Sequence, residues 1–365
     1  MTVLQVCAYG ADYSGNFIAS LETLEKALAD KGVQTIYAFI DRAADKEWCK
    51  NICNRTKVYF LPEAKARILP QTYRTMRKIY TENDVDIVHT HFELYDIPAT
   101  VTAPRKVRIF WHLHDPIAAG HGLRGALWKF QYGIVGKRAT LLSVADFYRR
   151  TAIDMGFPEK QTATVLNGID LTRVCSQEKE NTKIYDFLTF GWDFERKGDD
   201  LILQACDRLA QDGYQFRLLL NGNEHTWPKL DSYLNGRMPA YLERGNPVSD
   251  INQLFDVSKV FIQASRKETF SYAVCEAAYA GIPVIGSDIA GLEWAHELPT
   301  VTFFPNEDVQ SLYAAMRGFL DGKRVSDDEI RRSREHIEDT LSLAVWAGHV
   351  MQHYGLAWPD ERQGF

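Results

Sequence analysis

The chain reads as an α/β protein of two doubly wound domains, each a parallel sheet with helices on both faces. Three observations predict this. Short β-rich runs alternate with amphipathic helical patterns from the first residues; the alternation pauses at a polar stretch near the middle and then restarts. The 365 residues, at roughly 150 per domain, leave room for two cores. Hydrophobic residues at 45%, charged at 25% and aromatic at 12% lie near globular averages, which excludes a disordered, collagen-like or coiled-coil chain.

The first half opens with the strand pattern Val3–Ala8, the helical pattern Phe17–Lys31 and the strand Val33–Ile40, one βαβ unit. It continues with the strand Lys57–Leu61, a helix over Pro70–Asn83, the strands Asp86–His91 and Arg108–His114, a helix over Leu123–Lys137 and the strand Thr140–Val144. Strands separated by helices pair in parallel, because a parallel neighbour is reached only through a long crossover. After Asn167-Gly168-Ile169-Asp170, the polar run Ser176–Lys183 has linker composition. The second half offers strands at Tyr185–Phe190, Phe216–Leu220, Val260–Gln263 and Pro283–Gly286, and helices near Asp199–Asp212, Ile251–Val257 and Ser271–Ala280. A final helix covers Leu341–Tyr354. Domains are therefore expected at 1–170 and 171–340, with 341–365 returning to the first. Two such domains facing each other leave a cleft at the carboxyl ends of their sheets, where ligands of these folds bind.

The net charge of −6 conceals an asymmetry: residues 1–170 hold 22 basic and 18 acidic side chains, and residues 171–365 hold 20 and 30. Residues 101–150 carry nine basic and two acidic side chains, which suits an anionic lipid surface, a phosphorylated acceptor or simply a solvated face. Within Leu123–Arg138, Trp128, Phe130 and Tyr132 mix with Arg124, Lys129, Lys137 and Arg138. That composition fits a membrane interface or an amphipathic helix packed on a sheet. No apolar run reaches the ~18 residues of a membrane span, and Met1–Tyr9 reads as a strand and not a leader. The cytoplasm or its membrane face is the expected location. Cys7, Cys49, Cys53, Cys175, Cys206 and Cys275 are scattered as ordinary thiols, and Cys49 with Cys53 lacks nearby metal ligands.

The densest chemical signal is Ser265–Gly286, read as strand end, loop, helix, turn and strand. Glu268 falls in the loop, and Glu276 is placed about two turns inside the helix. Between them the N–H groups of Phe270, Ser271 and Tyr272 are expected to stay open at the helix start, where unpaired donors and the dipole attract an anion such as phosphate. A carboxylate accepts two hydrogen bonds side by side and suits vicinal sugar hydroxyls. Two carboxylates flanking a phosphate site point to a nucleotide-sugar. The plainer alternative is a helix-capping charge at Glu268 and a surface glutamate at Glu276.

This pattern resembles the retaining glycosyltransferases of family four, which have the GT-B architecture of two Rossmann-like domains. Glu268 and Glu276 match the family's E-x7-E motif. Further pieces similar to the family occur in order: Asp86-Ile-Val-His-Thr-His91, His112-Leu-His-Asp115, Val165-Leu-Asn-Gly-Ile-Asp170, Phe190-Gly191, Arg196-Lys-Gly198 and Leu220-Asn-Gly222. The resemblance implies that Glu276 binds the donor's ribose, Glu268 contacts the transferred sugar, and the amides of Phe270, Ser271 and Tyr272 meet diphosphate and sugar. It places Lys197 on the departing phosphate and His114 against the transferred sugar, with His112 as second choice, and makes Gly15 the turn that lets backbone approach the ligand. No metal and no cofactor is implied, since cations and a helix dipole stabilise the leaving diphosphate. Where family members carry an arginine after the first-strand glycine, this chain has Trp192, read as core or as a stacking surface; Arg196 is read as the replacement cation on the phosphate or as a side chain facing solvent.

His89 and His91 are read as core or cleft wall. Asp84-Val-Asp86 spells D-x-D by coincidence at a strand entry, and Gly10 with Gly15 does not make a dinucleotide fingerprint. The expected activity is transfer of a hexose, from a UDP-sugar by preference, to a hydroxyl on a lipid-linked saccharide, polysaccharide or protein; nucleic acid is not an expected partner. The rival readings are a catalytically silent sugar- or peptide-binding GT-B subunit, for which Trp192 speaks, and a GT-B nucleotide-sugar epimerase.

Overall fold

The computed structural model describes residues 1–117, 122–174 and 183–357. Cys175, residues 176–182 of the expected linker, residues 358–365 and the side chain of Arg124 lie outside the described residues. The chain divides into two units, one formed by Met1–Gly168 with the segment from Leu343 onward, the other by Ile169–Ser342.

Unit 1 runs β1 (Thr2–Cys7), α1 (Gly15–Ala29), β2 (Gln34–Ile40), α2 (Glu47–Cys53), β3 (Val58–Leu61), α3 (Pro70–Asn83), β4 (Ile87–His91), α4 (Asp96–Thr102), β5 (Arg108–Leu113), α5 (Gly122–Gly133), β6 (Ala139–Ser143), α6 (Asp146–Asp154) and β7 (Thr162–Thr164). The strands form one parallel sheet in the order β3-β2-β1-β4-β5-β6-β7. Every residue of β1 and β4 is buried, as expected where helices cover both faces of a sheet. The chain returns to this unit after Ser342, and the returning helix packs against α1. Trp346, Val350, Met351 and Tyr354 join its core.

Unit 2 runs β8 (Tyr185–Phe190), α7 (Asp199–Gln211), β9 (Leu218–Asn221), α8 (Thr226–Leu234), β10 (Leu242–Gly245), α9 (Asn252–Asp256), β11 (Ser258–Gln263), α10 (Tyr272–Ala280), β12 (Val284–Asp288), β13 (Val301–Pro305), α11 (Val309–Leu320) and α12 (Asp327–Leu341); the returning helix is α13 (Leu343–His353). Its parallel sheet has the order β10-β9-β8-β11-β12-β13. In both sheets the strand order reverses beside the first strand, between β1 and β4 and between β8 and β11. A crevice opens at such a switch point, beyond the carboxyl ends of the strands.

Several elements escape the sequence patterns. The edge strands β7 and β10 are short and partly exposed and lack the apolar run of a central strand. Pro228 masks α8, yet it lies in the first turn, where its missing N–H breaks no helical bond. The helix expected over Leu123–Lys137 stops at Gly133 and continues as the 3-10 turn Val135–Arg138.

Candidate active site

At the switch point of unit 2, the loop after β8 meets the loop after β11 backbone to backbone. Arg266 N donates to Arg196 O at 2.9 Å. Gly198 has φ +72°, and a Cβ there would lie 2.1 Å from Ala264 O, so only glycine permits this approach. The consequence is a cluster around one carboxylate. Lys197 Nζ donates to Glu268 Oε1 at 2.6 Å, Arg196 Nη1 at 3.2 Å, Gln263 Nε2 at 3.1 Å and Ser265 Oγ at 2.9 Å. The Lys197 and Glu268 side chains are only 16% and 10% exposed, so this charge-assisted contact is screened far less than a surface ion pair. Arg266 braces the loop from behind through both Asp200 oxygens, at 2.8 and 2.7 Å.

Helix α10 starts one residue after Ser271, whose Oγ accepts from Val274 N at 3.4 Å. The protein therefore closes one amide of this helix start itself. Among the described residues no acceptor takes the N–H of Phe270 or Ser271. The Phe270 ring stacks on Trp294 and meets Tyr272 edge-on. Glu276 is the fifth residue of α10, one turn inside the helix and not two, and it is buried. A surface glutamate it is not.

Trp192 stands 48% exposed beside Phe190 rather than in the core. Farther along the same carboxyl edge, beyond β9 and β10, a cavity of about 450 Å³ is lined by Asn223, Glu224, His225, Trp227, Asn246 and Pro247. Thr226 Oγ1 donates to Gly191 O and ties this corner to the loop after β8. Sequence reasoning missed Asp199 at the start of α7. Neither of its oxygens has a partner among the described residues, and burial pushes its pKa up to about 8 against the opposing charge of Lys197.

In unit 1 the corresponding edge holds four histidines. His89 and His91 stack along β4, and His112 on β5 stacks with His114 just past the strand's end, each pair at 4.3 Å between ring centres. All four are buried, and desolvation holds their pKa values down, that of His114 to about 4. His114 Nδ1 faces the Asn167 amide at 3.2 Å and Nε2 faces His91 Nδ1 at 3.1 Å. Both ring nitrogens are therefore engaged by the protein. Gly15, with φ +56°, opens α1 two residues before Phe17, whose ring meets His114 edge-on at 5.4 Å. Gly15 and His114 are thus brought to one neighbourhood in unit 1. Phe92, directly after His91, holds φ +59°, a conformation unusual for a bulky residue and common at functional sites.

Ring nitrogens of His89, His91 and His112 lie within 4.8 Å of one another. Their planes are within 30° of parallel, whereas a shared metal requires lone pairs converging on a point ~2 Å from each nitrogen. The cluster is a stack. Asp84 and Asp86 are structural: Asp84 ends α3 in the left-handed conformation and pairs with Lys106, and Asp86 accepts from Thr2 N at 2.8 Å. On α5, Trp128 and Tyr132 are buried and Arg138 donates to Thr100 O at 2.8 Å. Leu127, Phe130, Ile134, Lys129 and Lys137 stay exposed.

Residues 19–173 match the family model Glycosyltransferase Family 4, and residues 185–322 match Glycosyl transferases group 1. No curated protein matches the chain at a significant level. Among solved structures, HepE of Anabaena in complex with UDP superposes with TM-score 0.78 at 13% identity, covering 97% of this chain and 100% of that one. A glycosyltransferase from Rickettsia africae ESF-5 gives 0.76 at 16% identity, with 97% of both chains covered. Sucrose-phosphate synthase from Thermosynechococcus elongatus gives 0.75 at 14% identity, with 97% and 98% covered. Likeness at such low identity speaks to the fold, which is GT-B. The chain therefore combines a Glycosyltransferase Family 4 domain in unit 1 with a Glycosyl transferases group 1 domain in unit 2, and is a glycosyltransferase of GT-B fold.

Proposed function

We propose that this glycosyltransferase moves a hexose from a UDP-sugar to a hydroxyl acceptor with retention of anomeric configuration, in the synthesis of a cell-surface polysaccharide, glycolipid or glycoprotein. The observation that carries the reading is the convergence of Lys197 and Arg196 on Glu268, beside the start of α10 and the buried Glu276. HepE is known in complexes with UDP and with UDP-glucose, which supports a uridine donor.

Breaking the glycosidic bond places negative charge on the diphosphate. Lys197 and Arg196, with the amides of Phe270 and Ser271, supply fixed positive charge where it grows. In this reading Lys197 moves from Glu268 to the phosphate, and Glu268 turns its acceptor capacity to the sugar hydroxyls. Glu276 takes the ribose hydroxyls, Tyr272 lines the sugar, and the cavity beyond β9 and β10 holds the base. Gly15 lets backbone approach the ligand. His114, with both nitrogens occupied, orients the sugar as a fixed wall and does not act as a base; the leaving phosphate takes the acceptor's proton on the face it departs from. These residues do this work with no resident metal.

Unit 1 binds the acceptor, a lipid-linked saccharide, a polysaccharide or a protein, and unit 2 binds the donor. The exposed Leu127, Phe130 and Ile134 with Lys129 and Lys137 fit peripheral contact with an anionic bilayer at its cytoplasmic face. The test is a screen of UDP-, GDP- and ADP-sugars for thermal stabilisation. The best binder is then assayed for transfer to candidate acceptors, with NMR of the product anomer. Stabilisation by UDP-sugars and an unchanged anomer are expected; no binding of any UDP-sugar would refute the reading.

A further inference from the structure

Behind His114 runs an unbroken chain of hydrogen-bonding side chains. His114 Nε2 is 3.1 Å from His91 Nδ1. The Gln5 amide spans His91 Nε2 at 2.9 Å and the Tyr354 hydroxyl at 3.2 Å, and that hydroxyl lies 2.6 Å from His89 Nδ1. Asn167 closes the other end through its amide, 3.2 Å from His114 Nδ1. All six side chains are buried, and Tyr354, just past the end of α13, is 1% exposed.

A neutral imidazole has one donor and one acceptor, so such a chain must point one way along its whole length. Were the oxygens of both Asn167 and Gln5 to face the histidine pair, His91 and His114 would need three ring protons between them. Burial disfavours that extra charge, so one amide turns its NH2 toward the pair. The Tyr354–His89 contact decides which. At 2.6 Å it is short for an N–H donor and ordinary for an O–H donor, so the hydroxyl donates to His89 Nδ1. Gln5 Nε2 then donates to the Tyr354 oxygen, His91 Nε2 donates to Gln5 Oε1, His114 Nε2 donates to His91 Nδ1, and Asn167 turns its NH2 to His114 Nδ1. At the far end His89 keeps its proton on Nε2, which has no partner among the described residues. The His112 ring lies 5.3 Å away, within 2° of parallel to His89, and its nitrogens also have no partner among the described residues.

We propose that Gln5 and Tyr354 are positioning residues that fix the tautomer and ring orientation of His114 through His91. His89, His91 and His114 then all carry their proton on Nε2. The effect on catalysis rests on the reading of His114 as a wall against the transferred sugar. The returning segment that carries Tyr354 is thereby a working part of unit 1 and not only a cover for its sheet.

Two-bond ¹H–¹⁵N spectra of histidine-labelled full-length protein, assigned with single histidine substitutions, report each tautomer without any substrate. The expected result is Nε2–H at all three histidines, and a new Nδ1–H population at His114 in Tyr354→Phe and in Gln5→Met. Hydrolysis of UDP-glucose should fall about fivefold in kcat with KM held within about twofold, as for a loss of orientation. Nδ1–H at His114 in the unaltered chain, or an unchanged tautomer in both variants, overturns the proposal. So does a changed tautomer with unchanged kcat. Because the spectra need no donor, a wild-type chain that binds no UDP-sugar counts against the proposed function and leaves the tautomer test standing.

Discussion

Lys197 Nζ stands 2.6 Å from Glu268 Oε1, and Arg196 Nη1 reaches the same oxygen at 3.2 Å. One carboxylate oxygen therefore collects both cations of the loop, together with Gln263 and Ser265. At rest Glu268 offsets one of these two positive charges, and Arg196 also pairs with Asp193 at 3.4 Å. An arriving diphosphate competes for these cations with two negative charges against one, and around the shielded Lys197–Glu268 pair that competition is only weakly screened by water.

Removing the buried cation should slow transfer more than it weakens binding. Lys197→Ala is expected to lower kcat about 100-fold, the loss typical of one fixed charge partner in a transition state, while donor KM changes less than tenfold. Steady-state kinetics with the best UDP-sugar separates the two. A pure KM effect would remove Lys197 from the reaction and leave it a binding residue.

Glu276 should act on the nucleotide alone. Calorimetric titration of UDP is expected to show about tenfold weaker binding for Glu276→Ala, roughly 1.4 kcal/mol. Unaltered UDP affinity would mean that this buried carboxylate serves the fold.

Acid should destabilise unit 1 through its histidines. Their folded pKa values lie below the ordinary 6.5, that of His114 at about 4, so the unfolded chain binds protons first as pH falls. The stability His114 contributes is complete above pH 6.5 and is lost between 6.5 and 4, about 3 kcal/mol, and that of the other three is likewise lost as pH falls below 6.5. Tm measured every half unit should drop across that window; a flat profile would contradict the buried neutral stack.

Asp199 runs the other way. Its folded pKa of about 8 exceeds the usual 3.8, so the folded chain holds a proton that the unfolded chain releases, and stability falls as pH rises from 4 to 8. Asp199→Asn should therefore raise Tm at pH 8 and change it little at pH 4.

Gly198 sets the distance between the two loops of unit 2. In Gly198→Ala the new Cβ meets Ala264 O at 2.1 Å and the backbone is held at φ +72°. A loss on the order of 3 kcal/mol is expected, with donor binding impaired because Lys197 is the adjacent residue. Denaturant unfolding gives the first quantity and UDP titration the second.

The alternation of strand and helix made the two sheets legible, because a strand covered on both faces is mostly apolar, as Val3, Leu4 and Val6 show in β1, with the buried Gln5 the polar exception among them. Edge strands stayed hidden for the converse reason: Leu242–Gly245 needs only one covered side and reads as polar. Ser265, Glu268 and Lys197 share two short motifs, so their meeting was readable from resemblance. That Gln263 also holds Glu268 depends on the turn of the loop, which no spacing rule encodes. Asn167 lay inside a motif noticed as a string, yet its tie to His114 joins residues 53 apart. Asp199 gave no signal at all, since an acid at a helix start is ordinarily a solvated charge and here it is enclosed.

Unit 1 is interrupted: its last helix and Tyr354 come after the whole of unit 2. During synthesis the ribosome delivers the seven strands of the first sheet long before the segment that caps them. Until those last residues emerge, the imidazole face and its apolar neighbours wait in a nascent chain, while unit 2, continuous in sequence, can complete itself. A stop codon or fusion placed at residue 342 would thus spare the later-made half and cripple the earlier one.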